Sequence, residues 1–330
     1  MTTPIPKALY LLDGEAFEKI YGEEERAAVA ELGDVYAPPQ TGDSVAKNPD
    51  VLAEVEVILS GWGAPAMDGA FLAAVPNLRV VLYGAGSIRR VATPALWERG
   101  VRITSAYAAN AVPVSEYALA AILFSLKRGW HFAFSARREM ALAGQSQVPG
   151  AYGSTVGLVS LGMVGRMVRE CLRSFDLRVV AYDPYVTPEE ARVLGVDLIS
   201  LEDLFALSEV VSLHAPLLRE TEGMILGSHL ASMKRNATLI NTSRRAVVRE
   251  PEMVEVLEEW AVLDVTNPEP PEPDSRLYDL PNVVLTPHIA GSQGSACRHI
   301  GRLVVDELRR YVAGVPLEHE ITRERAALMA

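Results

Sequence analysis

An α/β chain with two parallel sheets is predicted by three observations. At 330 residues the chain is long enough for about two domains, each with a sizeable core. Short apolar runs of strand length alternate with helix-period segments, as parallel strands joined by right-handed crossovers require. The stretch Ser154 to Asp183 reads strand, glycine turn, helix, strand and acidic residue, the order of a doubly wound nucleotide-binding unit.

In that stretch Thr155 to Ser160 is the first strand, Leu161 to Gly165 the turn, a helix ends near Phe175, and Val179 to Tyr182 leads to Asp183. Glycine at the turn lets backbone approach a pyrophosphate, the helix N-terminus offers unpaired N–H groups, and a carboxylate downstream accepts from ribose hydroxyls. Asp183 lies 21 residues past Gly162, close to the roughly 20 the fingerprint expects. The fingerprint's first glycine is replaced by Ser160, leaving S-x-G-x-x-G with Gly162 and Gly165. By itself such a pattern also describes an ordinary strand-to-helix turn; the flanking strands and the placed aspartate favour a dinucleotide.

Before this unit, strands are expected at Ala8 to Leu12, Val55 to Leu59, Val80 to Tyr83 and Val101 to Thr104, with helices at Phe17 to Leu32 and Thr93 to Arg99. A Tyr83 to Ser87 turn of sequence YGAGS follows a strand, where open α/β sheets place ligands; on its own it reads equally as a plain turn. Val112 to Phe134 is nearly all apolar and helical, so it is expected to be buried on every side, between domains or between subunits. After the unit, strands are expected at Val210 to Leu213, Thr238 to Ile240, Val262 to Val265 and Val283 to Leu285. A last helix starts near Ser292, places Ile300, Leu303, Val304, Leu308, Tyr311 and Val312 on one face and ends at Gly314. It is one helix more than the nucleotide domain needs, so it is expected to return to the first domain.

A net charge of −11 argues against nucleic acid as a partner, because phosphate binding needs concentrated basic side chains. Two cysteines, Cys171 and Cys297, are too few for a disulfide framework and point to a reducing cytoplasm. No signal h-region is read at the start, and the apolar stretch Tyr117 to Leu126 ends at Lys127, short of a membrane span. A cytoplasmic protein with no membrane partner is expected, and no metal site is read.

Three segments at strand ends carry polar groups that plain loops do not need: Asn241-Thr242-Ser243-Arg244, Asp264 to Pro270 (DVTNPEP) and Thr286-Pro287-His288. With the nucleotide unit they resemble the D-isomer-specific 2-hydroxyacid dehydrogenase family, whose patterns are N-T-x-R-G, D-V-x-x-x-E-P and T-P-H. The resemblance spans nearly the whole chain, including G-A-G in the first domain and H-x-P-L at His214 to Leu217 with Thr221 following. It implies a flavodoxin-like substrate domain over 1–108 and 292–330, a Rossmann NAD-binding domain over 109–291, and NAD as cofactor. The implied reaction interconverts a small D-2-hydroxy acid and its 2-oxo acid. No regulatory domain is expected in the sixteen residues after Gly314.

The chemistry supports those roles. Hydride transfer needs a group that takes or returns the hydroxyl proton, and His288 suits it. The resemblance assigns Glu269 to orient that imidazole, a carboxylate neighbour favouring its charged form. Arg244 would grip the substrate carboxylate through two parallel hydrogen bonds, and backbone N–H groups of Ala85, Gly86 and Ser87 would complete that pocket. Cofactor contacts are implied at Gly162, Met163, Val164, Gly165, Asp183, His214, Pro216, Thr221, Thr242 and Asp264, the last toward the nicotinamide carboxamide. Trp62, Tyr83 and Arg89 are candidates for the substrate's side-chain pocket. His131, His229, His299 and His319 are read as structural.

Departures from the family pattern are Ser160 for glycine, Met163 where a basic residue is frequent, Ile88-Arg89 for D-N, and Arg245 for glycine. If that last glycine requires φ > 0, Arg245 strains the backbone. The alternative reading is a dinucleotide-sensing binding protein of the same fold, resembling transcriptional corepressors; a retained proton donor favours the enzyme. A two-fold homodimer through Val112 to Phe134 is expected.

Overall fold

The computed structural model describes residues 5–140, 148–257 and 259–328. It divides into two units, Met1–Asn110 with Ser292–Ala330, and Ala111–Gly291. The first division falls after Asn110, inside the helix Tyr107–Leu126.

The first unit holds strands β1 (Lys7–Leu11), β2 (Asp34–Val35), β3 (Val57–Ser60), β4 (Val80–Tyr83) and β5 (Arg102–Ser105). Their order is β2-β1-β3-β4-β5, parallel throughout, which is the flavodoxin-like arrangement. Strand side chains alternate between two cores: Leu9, Leu11, Ile58, Val81 and Ile103 on one, Ala8, Tyr10, Leu59 and Leu82 on the other. The second core is completed by Ile300, Val304 and Leu308 of the helix Cys297–Val312, so the last long helix belongs to this unit.

The stretch Phe17 to Leu32 forms two helices instead of one, Gly14–Ile20 and Glu23–Leu32. The break is imposed by packing. A Cβ on Gly301 would lie 2.1 Å from the Ile20 carbonyl oxygen, so the returning helix crosses directly over the first helix's end. There the buried Tyr21 hydroxyl donates to the Ser60 carbonyl at 2.9 Å, and the Gly22 N–H donates to the Glu25 carboxylate at 3.0 Å, starting the second helix.

The second unit holds β6 (Thr155–Val159), β7 (Arg178–Tyr182), β8 (Asp197–Leu198), β9 (Val210–Leu213), β10 (Thr238–Asn241), β11 (Trp260–Leu263) and β12 (Val283–Leu285). Their order is β12-β11-β10-β9-β6-β7-β8, again all parallel. Order reverses between β6 and β9, and the crevice outside the carboxyl ends of two such strands is where open α/β sheets take ligands. The two-residue strands β2 and β8 lie outside the sequence expectation, being too short to show a period.

Val112 to Phe134 is likewise two helices, Tyr107–Leu126 and Gly129–Glu139, separated where Arg128 takes φ 51°. The first is not buried on every side. It buries one stripe, Ala111, Val114, Ser115, Ala118, Ala121, Ile122, Ser125 and Leu126, and leaves Val112 and Phe124 exposed. Its 20 residues are long and apolar enough to cross a membrane by length and composition, but Ala118, Ala121, Ile122 and Leu126 pack in the second unit's core.

Candidate active site

The turn after β6 is shaped for close backbone approach. Ser160 lies in the left-handed region at φ 77°, a conformation that suits the glycine it replaces. A Cβ on Gly165 would lie 2.1 Å from the Ser160 carbonyl oxygen, so the helix Met163–Cys171 leaves the strand at a distance only glycine permits. Around Gly162, by contrast, the nearest atom to an added Cβ is the Ser160 Oγ at 3.9 Å, leaving open space. Among the described residues the N–H groups of Gly162, Met163, Val164 and Gly165 have no protein acceptor. They are a ready cradle for a pyrophosphate.

Asp183, just past β7, holds this turn from the other side. One carboxylate oxygen accepts from the Leu161 N–H at 2.7 Å, the other from the Tyr185 N–H at 2.9 Å. The carboxylate is thereby fixed at the strand end, with lone pairs left for a ribose hydroxyl.

His214 follows β9 and is 9% exposed; neither ring nitrogen has a hydrogen-bond partner, and burial pushes its pKa down to about 4. It is therefore neutral at pH 7. The Thr242 hydroxyl, beyond β10, is also buried and unpartnered. Unpaired buried polar atoms at neighbouring strand ends fit a ligand that brings its own donors and acceptors. Thr221 is occupied locally: its hydroxyl donates to the Pro216 carbonyl at 2.5 Å and accepts from the Leu218 N–H at 2.8 Å, shaping the loop.

The segments beyond β11 and β12 are tied together by Asp264, 2% exposed. Its carboxylate accepts from the Thr286 hydroxyl at 2.6 Å and from the N–H groups of Ile289 and Ala290 at 2.8 Å each, while its carbonyl accepts from the His288 N–H at 3.1 Å. So much of Asp264 is engaged in holding the 286–290 loop that its first role here is positional. His288 sits in that loop at φ 53°, a strained conformation for a non-glycine residue that the surrounding bonds enforce. Its Nδ1 lies 2.6 Å from a Glu269 carboxylate oxygen, and its side chain is 54% exposed. The other ring nitrogen, Nε2, is left on the side away from Glu269.

Beyond β10, Asn241 accepts from the Ser243 N–H and hydroxyl at 3.1 and 2.8 Å, and its amide donates to the Arg244 carbonyl at 3.4 Å. Arg244 donates from one guanidinium nitrogen to the Ser243 carbonyl at 2.7 Å. Arg245 is exposed and opens a short 3-10 turn, Arg245–Val247, with φ outside the left-handed region. The backbone strain that a glycine replacement would bring is absent at this position.

In the first unit, the N–H groups of Ala85, Gly86 and Ser87 have no acceptor among the described residues, while the Ala85 and Gly86 carbonyls are held by the Ser105 hydroxyl. Tyr83 is 6% exposed and packs in the first unit's core. One participant carried no sequence signal. Tyr117 pairs its hydroxyl with that of Thr286 at 2.8 Å, bracing the Asp264 network from a helix 169 residues upstream.

The family model for the D-isomer specific 2-hydroxyacid dehydrogenase NAD binding domain matches residues 120–290. A D-3-phosphoglycerate dehydrogenase of Mycobacterium bovis is 35% identical over 257 residues, 76% of this chain and 48% of that protein. The chain spans about half the length of the curated relatives it matches. Among solved structures, the TT0316 protein from Thermus thermophilus superposes with TM-score 0.73 at 27% identity, covering 96% of this chain and 100% of that one. The NAD-complexed D-isomer specific 2-hydroxyacid dehydrogenase of Lactobacillus delbrueckii ssp. bulgaricus gives 0.78 at 18% identity, covering 96% and 100%.

Proposed function

Since the chain belongs to the D-isomer-specific 2-hydroxyacid dehydrogenase family and carries its NAD-binding domain, we propose that it is a cytoplasmic, homodimeric enzyme interconverting a small D-2-hydroxy acid and its 2-oxo acid. The observation that carries this reading is the Glu269–His288 pair at 2.6 Å on a loop fixed by Asp264. A half-exposed imidazole braced by a carboxylate is a proton-handling device, and a protein that only senses a dinucleotide has no use for it.

Bound NAD supplies the hydride acceptor, or in its reduced form the donor. In reduction, His288 Nε2 gives a proton to the substrate oxygen as the carbonyl carbon gains the hydride; in oxidation it takes that proton back. Glu269, bonded to Nδ1, keeps Nε2 directed outward and stabilises the imidazolium between the two steps. Arg244 pairs with the substrate carboxylate through its planar fork. The N–H groups of Ala85, Gly86 and Ser87, which have no acceptor among the described residues, are suited to a substrate carboxylate. Gly162 to Gly165 and Asp183 would hold the pyrophosphate and ribose, and His214, Pro216, Thr221 and Thr242 would supply further cofactor contacts.

The test is loss of NADH absorbance with a panel of 2-oxo acids. His288→Ala is expected to lower turnover by about 10² to 10⁴, the usual worth of general acid-base catalysis. NADH affinity changes far less, because its contacts lie at other strand ends. Tight NADH binding with no turnover in the parent, and no difference in His288→Ala, would overturn the enzyme in favour of the dinucleotide sensor.

A further inference from the structure

Thr286 is the hinge of the loop that carries His288. Its N–H donates to the Leu263 carbonyl at 3.0 Å, and its own carbonyl shares the His288 N–H with the Asp264 carbonyl, at 3.0 and 3.1 Å. The Asp264 carboxylate takes the N–H groups of Ile289 and Ala290. These bonds all start from the end of one strand, β11, or from within the loop. They fix the loop's shape but not where that shape stands against the neighbouring helix.

That task falls to Tyr117. Its phenol reaches the Thr286 hydroxyl at 2.8 Å, and the Thr286 hydroxyl reaches Asp264 Oδ1 at 2.6 Å. The direction of the chain follows from its end. The Asp264 carboxylate only accepts, so the Thr286 hydrogen is committed to it, and the Tyr117 O–H is the donor to the Thr286 oxygen. Burial raises the phenol above its usual value of 10, which keeps that proton in place. Successive bonds pointing one way polarise one another, and these end on the same oxygen that holds the Ile289 N–H. The tyrosine is itself anchored: its ring packs against the core cluster of Leu158 and Val262, in which its helix buries Ala118, Ala121 and Ile122.

Building on the dehydrogenase proposed above, we propose that Tyr117 is a positioning residue for proton transfer: through Thr286 and Asp264 it fixes the backbone on which His288 meets Glu269. It acts through the loop, and a support of this kind holds a reacting group in register without handling the proton.

Tyr117→Phe keeps the ring in the core and removes only the donor. In the cofactor-free chain, amide hydrogen exchange over 286–291 is expected to quicken severalfold while that over 160–165 is unchanged. With NADH and glyoxylate, hydroxypyruvate or 3-phosphohydroxypyruvate, kcat should fall about two- to tenfold, the worth of one hydrogen bond, and KM for NADH should move by less than about twofold. Thr286→Val removes both links and should cost more, whereas Thr286→Ser keeps the hydroxyl and should stay near the parent. Tyr117→Phe combined with Thr286→Val should be no slower than Thr286→Val alone, because the phenol acts through that hydroxyl. Losses that multiply, or exchange over 286–291 that matches the parent, overturn the role of Tyr117 and leave the dehydrogenase standing. Quickened exchange in a chain that binds NADH yet turns over none of the three acids overturns the dehydrogenase and, with it, any part for Tyr117 in proton transfer.

Discussion

Ser160 and His288 are two of five described non-glycine residues at positive φ, and both lie in the candidate site. Strain of this kind costs of order 1–3 kcal/mol per residue and persists only where surrounding bonds over-determine it. At His288 the enforcing bonds are visible, running from Asp264 to the backbone of residues 288–290. Asp183 is fixed with comparable care, and its charge decides between cofactors. A carboxylate accepts from a free 2′-hydroxyl and repels a 2′-phosphate, so NAD is preferred to NADP. Asp183→Ala is expected to narrow the ratio of kcat/KM for NADH over NADPH by tenfold or more. Equal use of both cofactors by the parent protein would refute this assignment.

The helix Met163–Cys171 and the strand before it meet at Gly165 with no room for a side chain. Gly165→Ala would push a methyl onto the Ser160 carbonyl, and overpacking of this sort costs about 1–3 kcal/mol. Because the displaced element carries the N–H cradle, NADH affinity should fall along with the melting temperature. Gly162→Ala, with open space around it, should spare stability and weaken only the cofactor. Identical effects of the two substitutions would argue against this division of labour. The Tyr107–Leu126 helix poses a different question, because Val112 and Phe124, with Phe134 on the next helix, remain 40–47% exposed. An apolar face of that kind is suited to a second copy of the chain in a two-fold interface. Light scattering at micromolar protein is expected to give a dimer, and Phe124→Asp to shift it toward monomer; a parent monomer would exclude the interface.

Stability of the whole molecule responds to pH through groups that folding desolvates. His214 is pushed from the usual 6.5 down to about 4 by burial, so the unfolded chain binds its proton first as pH falls. Its stabilising contribution is complete above about pH 6.5 and is lost progressively toward pH 4, on the order of 3 kcal/mol at 1.36 kcal/mol per pKa unit. Burial raises the carboxyls of Glu250 and Glu307, which act in the opposite sense because the folded state keeps their protons to higher pH. Thermal melts of the cofactor-free protein between pH 7 and 4.5 should fall less steeply for His214→Gln than for the parent. Parallel curves would show that the buried imidazole does not govern this range.

The two parallel sheets were legible in the sequence because buried parallel strands are continuous apolar runs and because alternation with helices dictates crossovers. The strand-end motifs were legible for the same reason: once strands are placed, the polar residues just after them stand where open α/β sheets act. Local pattern could not foresee the breaks at Tyr21-Gly22 and Arg128, since one depends on a helix nearly 280 residues away in sequence crossing at Gly301. Nor could it foresee Tyr117 reaching Thr286, or an arginine resting without strain in place of a glycine at residue 245. Periodicity encodes which face of an element is buried; which elements then touch, and which polar atoms are left without partners, is decided by long-range packing.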